Sequence, residues 1–303
     1  MTDRRAPRVD VALRAVVHVS RGLGWASARE NQNGKDRRSL MTTTNDPMES
    51  LKVDQFETAR LLTFNRPERR NAWNDGLRRE FVRQLAEADA DPQVRSIVIT
   101  GAGTAFCAGA DMTDLVQQAG ASEQEEFLRD VESPLRIRKP LIAAMNGAAV
   151  GLGLLQALYC DVRFCVADAK LSAAFPRRGF VGEFGMVSIL SSLAGRGRAS
   201  DLLLSGRAFT GREAYAMGVV NFLAERDDVV ADALSYAEDI GAHCSPHAMA
   251  VIKQQIRVEP QMEFWEALRH AEALQLASLT TPDVAEGFNA YFEKRNPEYE
   301  PLR

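Results

Sequence analysis

The sequence predicts an α/β fold of parallel strand-helix-strand crossovers, continued by a C-terminal segment made of helices alone. Three observations carry this reading. From about residue 50, short apolar runs alternate with stretches whose apolar residues recur every three to four positions, as in a parallel sheet with crossover helices rather than an antiparallel sandwich. Two glycine-rich loops stand where a strand hands over to a helix. After residue 186 the spacing becomes almost wholly helical.

Taken in order, "ARLLTF" reads as a strand, and "RPERRN" follows as a basic loop opened by Pro67. "NDGLRREFVRQLAEADAD" starts with a capping Asn or Asp and sets Leu77, Phe81, Leu85 and Ala88 on one helical face. "VRSIVITG" is a buried strand running into glycine. The cycle repeats with a helix over 123–138, the strand "PLIAAMNG", a short helix from Gly151 and the strand "DVRFCVAD". Successive helices are expected over 227–242, 246–257, 264–278 and 282–295. The organisation expected is an N-terminal extension over 1–48, an α/β core over 49–245 and a helical segment over 246–303.

Composition removes several functions. The 303 residues are 46% hydrophobic, ample for a sizeable core. A formal net charge of −4, with no ladder of aromatics among basic residues, argues against nucleic acid as a partner. Cys107, Cys160, Cys165 and Cys244 form no C-x-x-C pair and read as buried, reduced thiols of a cytoplasmic protein. His243 and His247 stand four apart, but Pro246 lies between them and no Glu follows His243, so no metal is expected. The apolar run 141–159 contains Asn146, Gln156 and three glycines, which fits a buried strand-turn-helix better than a membrane span. Residues 1–40 carry nine Lys/Arg against four acids and no clear cleavage site; a disordered tail, or an over-extended start with the working chain beginning near Met41 or Met48, is the plain reading and an Arg-rich organellar presequence the alternative.

The chemistry concentrates in the two loops, "GAGTAFCAGAD" over 101–111 and "NGAAVGLG" over 146–153. A helix N-terminus exposes unpaired N–H groups and a partial positive potential, so each loop can receive an oxygen bearing negative charge. Phosphate is disfavoured: "GLGLLQ" lacks the last glycine of G-x-G-x-x-G, and neither loop ends in G-K-[ST]. No G-x-S-x-G supplies a nucleophile elbow. The plainer role for the glycines is close helix-on-sheet packing.

Six segments in order, "NRPERRNAWN", "GAGTAFCAGADM", "KPLIAAMNGAAVGLG", "CDVRF", "LLLSGRAFTGREAYAMGVVN" and "EGFNAYFEKRNP", resemble the signatures of the crotonase (enoyl-CoA hydratase/isomerase) family over about residues 50–298. The resemblance implies a spiral of ββα repeats, C-terminal helices that build trimers or paired trimers, and coenzyme A in an extended groove. It implies that two backbone N–H groups, of Ala110 and Leu152, grip the thioester oxygen; Leu152 replaces the family's frequent glycine. Losing one such donor typically costs an enzyme about 3 kcal/mol.

The two glutamates of the family's hydratases fall here on Leu155 and Phe175, neither of which moves a proton. Glu183 in "GFVGEFG" is the expected replacement, eight residues after Phe175, in the loop where the family's chlorobenzoyl-CoA dehalogenases carry an aspartate. Desolvation among Phe180, Val181 and Phe184 would raise its pKa toward the useful range; a solvated loop residue, or one paired with Arg177 or Arg178, is the plainer alternative. By the same resemblance Arg70 and Ala72 line the nucleotide end of the groove, and Tyr291 and Lys294 reach coenzyme A, often from a neighbouring subunit. Ala108, Asp111 and Met112 border the acyl site with Leu155 and Phe175, Asp111 also capping the helix that follows. The activity implied is enoyl-CoA isomerisation or hydration with no cofactor beyond the substrate's coenzyme A. The alternatives are a non-catalytic acyl-CoA-binding protein or another reaction of the family, such as decarboxylation or thioester hydrolysis.

Overall fold

The computed structural model describes residues 50–111 and 121–302; the expected N-terminal extension and Met112 lie outside the described residues. Ten strands are described: β1 (Leu51–Gln55), β2 (Ala59–Phe64), β3 (Ser96–Gly101), β4 (Ala105–Cys107), β5 (Leu141–Met145), β6 (Ala148–Val150), β7 (Val162–Val166), β8 (Lys170–Ser172), β9 (Phe209–Thr210) and β10 (Phe222–Ala224). The helices of eight residues or more are α1 (Asp75–Ala90), α2 (Ala121–Val131), α3 (Leu152–Tyr159), α4 (Met186–Ala194), α5 (Arg196–Ser205), α6 (Val229–His243), α7 (Pro246–Val258), α8 (Phe264–Ser278) and α9 (Pro282–Glu293).

Two sheets run in step. The first has the order β1-β2-β3-β5-β7-β10 and the second β4-β6-β8-β9; pairing is parallel except at β1/β2 and β8/β9. Each of β3, β5 and β7 in the first sheet is followed at once by a short strand of the second, β4, β6 and β8, and then by helix. This ββα cycle is the spiral that the resemblance implied. Every residue of β3 and β5 is buried, because a parallel sheet covered on both faces has no wet side. Helix α6 covers one face through Val229, Ala233 and Ala237, all fully buried.

Local chemistry explains the elements that were legible. Asn74 caps α1 by accepting from the Leu77 N–H at 2.9 Å, and Leu77, Phe81, Leu85 and Ala88 are fully buried. Phe81 joins Phe64, Trp73 and Phe106 in an aromatic cluster with ring centroids 5.3 to 5.6 Å apart.

Four expectations need correction. The helix expected over 123–138 ends at Val131, because Pro134 cannot donate into an α-helix; a 3₁₀ turn, Ser133–Arg136, takes over. The two glycine loops are not loops throughout, since each holds a three-residue strand, β4 or β6. The region after residue 186 contains β9 and β10 as well as helices, and β10 extends the first sheet by pairing with β7. Cys244 is exposed at the end of α6, whereas Cys107, Cys160 and Cys165 are buried thiols that burial pushes up to about 12.

Candidate active site

Strands β4 and β6 lie parallel, with Ala105 opposite Ala148 and Cys107 opposite Ala149, so both glycine segments run side by side. Bare backbone permits the contact. A Cβ on Gly153 would lie 2.1 Å from the Cys107 carbonyl oxygen, well inside contact distance. At Gly109, with φ of +96°, a Cβ would lie 2.6 Å from the Val150 oxygen and 3.7 Å from the Leu152 nitrogen. The peptide before Ala110 therefore borders the peptide before Leu152.

Pairing rules orient the first of these amides. Trp73 and Ala110 form a parallel bridge in which the Trp73 N–H donates to the Gly109 oxygen at 2.7 Å and the Asp111 N–H donates to the Trp73 oxygen at 2.9 Å. Because the C=O and N–H of one trans peptide point opposite ways, the Ala110 N–H, which shares its peptide with the Gly109 oxygen, points away from Trp73. The Leu152 amide is freed differently: Leu152 opens α3, and the first N–H groups of a helix have no partner within it. Gly151, just before, is held by donating to the Ser172 oxygen at 2.9 Å. Among the described residues, neither amide has a recorded acceptor.

Both residues line one cavity of about 410 Å³, walled by Phe127, Leu128, Phe175, Phe180 and Phe184, with Ala108 at the first loop. Glu183 is the one carboxylate lining it among the described residues. The side chain has no recorded ion pair or hydrogen bond among them. Arg177 instead donates to the Ser205 oxygen at 3.0 Å, and Arg178 lines the same cavity without bonding to Glu183. Burial raises the Glu183 pKa above the ordinary carboxylate value, the direction expected from the sequence.

The backbone just after Glu183 is unusual. Phe184 and Gly185 have φ of 51° and 72°, and the Met186 N–H closes a turn onto the Glu183 oxygen at 3.0 Å. Two left-handed central residues define a type I′ turn, and a phenylalanine in the first place costs about 1–2 kcal/mol. The Tyr159 hydroxyl donates to the Phe184 oxygen at 2.7 Å, and the Phe127 ring meets the Phe184 ring edge-on at 6.2 Å.

Other candidate residues lie apart from this cavity. Leu155 is fully buried in the hydrophobic core, and the neighbouring Gln156 donates to the Val131 oxygen at 3.2 Å. Asp111 pairs with Arg66 at 3.2 Å, folding the basic loop back on the first glycine segment. Arg70 is exposed, and the Ala72 oxygen accepts from Arg66. Tyr291 is 74% exposed and Lys294 exposed at the end of α9. Sequence reading missed Trp73, Phe127 and Tyr159. Their signals, an aromatic in "NAWN" and hydrophobic positions on two helices, were those of ordinary core residues.

A family model described as enoyl-CoA hydratase/isomerase matches residues 56–301. The 2,3-dehydroadipyl-CoA hydratase of Escherichia coli is 32% identical over 253 residues, covering 83% of this chain and 99% of that protein. The crystal structure of an enoyl-CoA hydratase from Bacillus anthracis matches with a TM-score of 0.77 at 27% identity, covering 83% of this chain and 99% of that one. An enoyl-CoA hydratase from Polaromonas matches at 0.77 and 28%, covering 82% and 99%. Among the described residues no helix is long and apolar enough to cross a membrane.

Proposed function

The chain belongs to the enoyl-CoA hydratase/isomerase family and is an acyl-CoA thioester enzyme of the crotonase type; from that premise we propose that it moves the double bond of an enoyl-CoA. The amides of Ala110 and Leu152 hold the thioester oxygen, and Glu183 carries the proton. In the forward direction, the Glu183 carboxylate takes a proton from C2 of a 3-enoyl thioester. The C2–H electron pair becomes the C1=C2 bond of a dienolate as the C1=O π pair moves onto the oxygen, which accepts from both amides. The same carboxyl then returns the proton to C4 as the carbonyl re-forms: the C1=C2 pair becomes C2=C3 and the C3=C4 pair takes the proton, giving the 2-enoyl thioester. Nothing is consumed, and no cofactor beyond the substrate's coenzyme A is needed.

The observation that carries this reading is the meeting of one half-buried carboxylate and two amides, without an acceptor among the described residues, in the lining of a single cavity. One carboxylate suits isomerisation, because the proton removed is the proton returned. Hydration must also orient a water, which normally takes a second acid, and none lines the cavity among the described residues. Its aromatic and leucine walls suit an apolar acyl group, and its volume is that of a small-molecule site. The exposed apolar residues of α7, α8 and α9 support a homo-oligomer, trimeric or a dimer of trimers, in which Tyr291 and Lys294 would meet a neighbour's coenzyme A.

The test is a panel of 2-enoyl, 3-enoyl and 3-hydroxyacyl-CoA thioesters assayed with wild type and Glu183→Gln. Conversion of 3-enoyl to 2-enoyl thioester that Glu183→Gln loses supports the reading. Equal turnover by the variant on every accepted substrate overturns the role of Glu183. Binding without turnover across the panel favours a carrier instead.

A further inference from the structure

Helix α3 begins at Leu152, which lines the cavity, and ends at Tyr159, whose hydroxyl donates to Phe184 of the same lining. We propose that Tyr159 is a positioning residue: its phenol clamps the left-handed turn over 183–186, so that Glu183 faces the cavity. The functional consequence rests on reading Glu183 as the proton carrier. The structural claim stands separately.

A bulky residue keeps a left-handed backbone only where its surroundings impose it. Three contacts impose it on Phe184: the turn bond from the Met186 N–H at 3.0 Å, the Phe127 ring at 6.2 Å and the Tyr159 hydroxyl at 2.7 Å. Only the last ties the turn to the helix whose first amide is the Leu152 donor. Eight helical residues span about 12 Å. The helix therefore acts as a ruler, fixing the proton carrier relative to the amide at its other end. Tyr159 is 3% exposed, and its burial holds the phenol protonated and able to donate throughout the working pH range. The contact bridges 25 residues of chain, so no local preference of the turn substitutes for it.

The experiment compares wild type, Tyr159→Phe, Glu183→Gln and the double variant, with δ-13C-glutamate labelling. Glu183→Gln identifies the Glu183 signal. Tyr159→Phe removes one oxygen and no carbon, and near-UV circular dichroism checks its fold. The Glu183 carboxyl should titrate at lower pH in Tyr159→Phe, because a released turn lets water reach it. With a 3-enoyl-CoA as probe, kcat should fall about tenfold or more with KM nearly unchanged, and the double variant should be no slower than Glu183→Gln alone. An unchanged titration midpoint with unchanged kcat would overturn the proposal. If Glu183→Gln keeps full turnover, the proton-carrier reading fails, yet the titration comparison still decides what Tyr159 does. Should Tyr159→Phe not fold, hydrogen exchange on wild type decides: protection of the Met186 amide supports the clamp, and exchange at the rate of an open loop overturns it.

Discussion

Glu183 holds a carboxylate against phenylalanine with no cation bonded to it among the described residues, and the consequences can be measured separately. Its raised pKa means that the proton is bound more tightly in the folded chain than in the unfolded one. Stability therefore falls as pH rises from the ordinary carboxylate value through the raised one. Glu183→Gln, neutral at all pH, should melt higher than wild type at neutral pH and equal to it in acid, while kcat on a 3-enoyl-CoA drops about 100-fold or more. The wild-type kcat should rise with pH through the raised value, as the carboxylate form appears. A variant that melts lower at neutral pH would mean that Glu183 makes a stabilising contact. At this scale the lone acid of the loop and the direction of its shift were legible, although Phe180 and Val181 are 47% and 76% exposed and shield Glu183 less than their composition suggests. Tyr159 was illegible, because its bond depends on two left-handed residues 25 positions away that no propensity foretells.

At the scale of elements, the site depends on β4, β6 and α3 touching through glycine. Gly153→Ala would set a methyl against the Cys107 carbonyl, a backbone atom that cannot turn aside. It should lower stability by about 1–3 kcal/mol, the usual cost of overpacking, and depress kcat more than KM as the Leu152 amide shifts. Thermal melts and steady-state kinetics check both. A neutral effect would show that α3 floats free of β4. The strands of the first sheet were readable because burial on both faces leaves continuous apolar runs, as in "SIVIT" and "LIAAM". The strands of the second sheet were not. Segments such as "AAV" and "AFC" have three residues, too few to show an alternating pattern, so only their partners in neighbouring turns make them strands.

At the scale of the molecule, the C-terminal helices leave Phe264, Trp265, Ile256, Leu276 and Phe292 each more than 65% exposed. Large apolar side chains in that number call for cover. Light scattering should report a trimer or hexamer, and Trp265→Glu with Phe264→Glu should shift it toward monomer; an unshifted wild-type monomer would refute the assembly. Helix periodicity made these helices legible, whereas their partner surface is not written in one chain's pattern. The ββα spiral itself brings two peptides distant in sequence, before Ala110 and before Leu152, to the wall of one cavity, and on their sharing one oxygen the proposed chemistry rests. The most direct test is the infrared difference spectrum of a bound 2-enoyl-CoA carrying a 13C-labelled thioester carbonyl, recorded with Glu183→Gln so that nothing turns over. The carbonyl stretch should lie at lower wavenumber than in free solution, as two hydrogen bonds draw charge onto oxygen. A stretch at the solution value or above would contradict it.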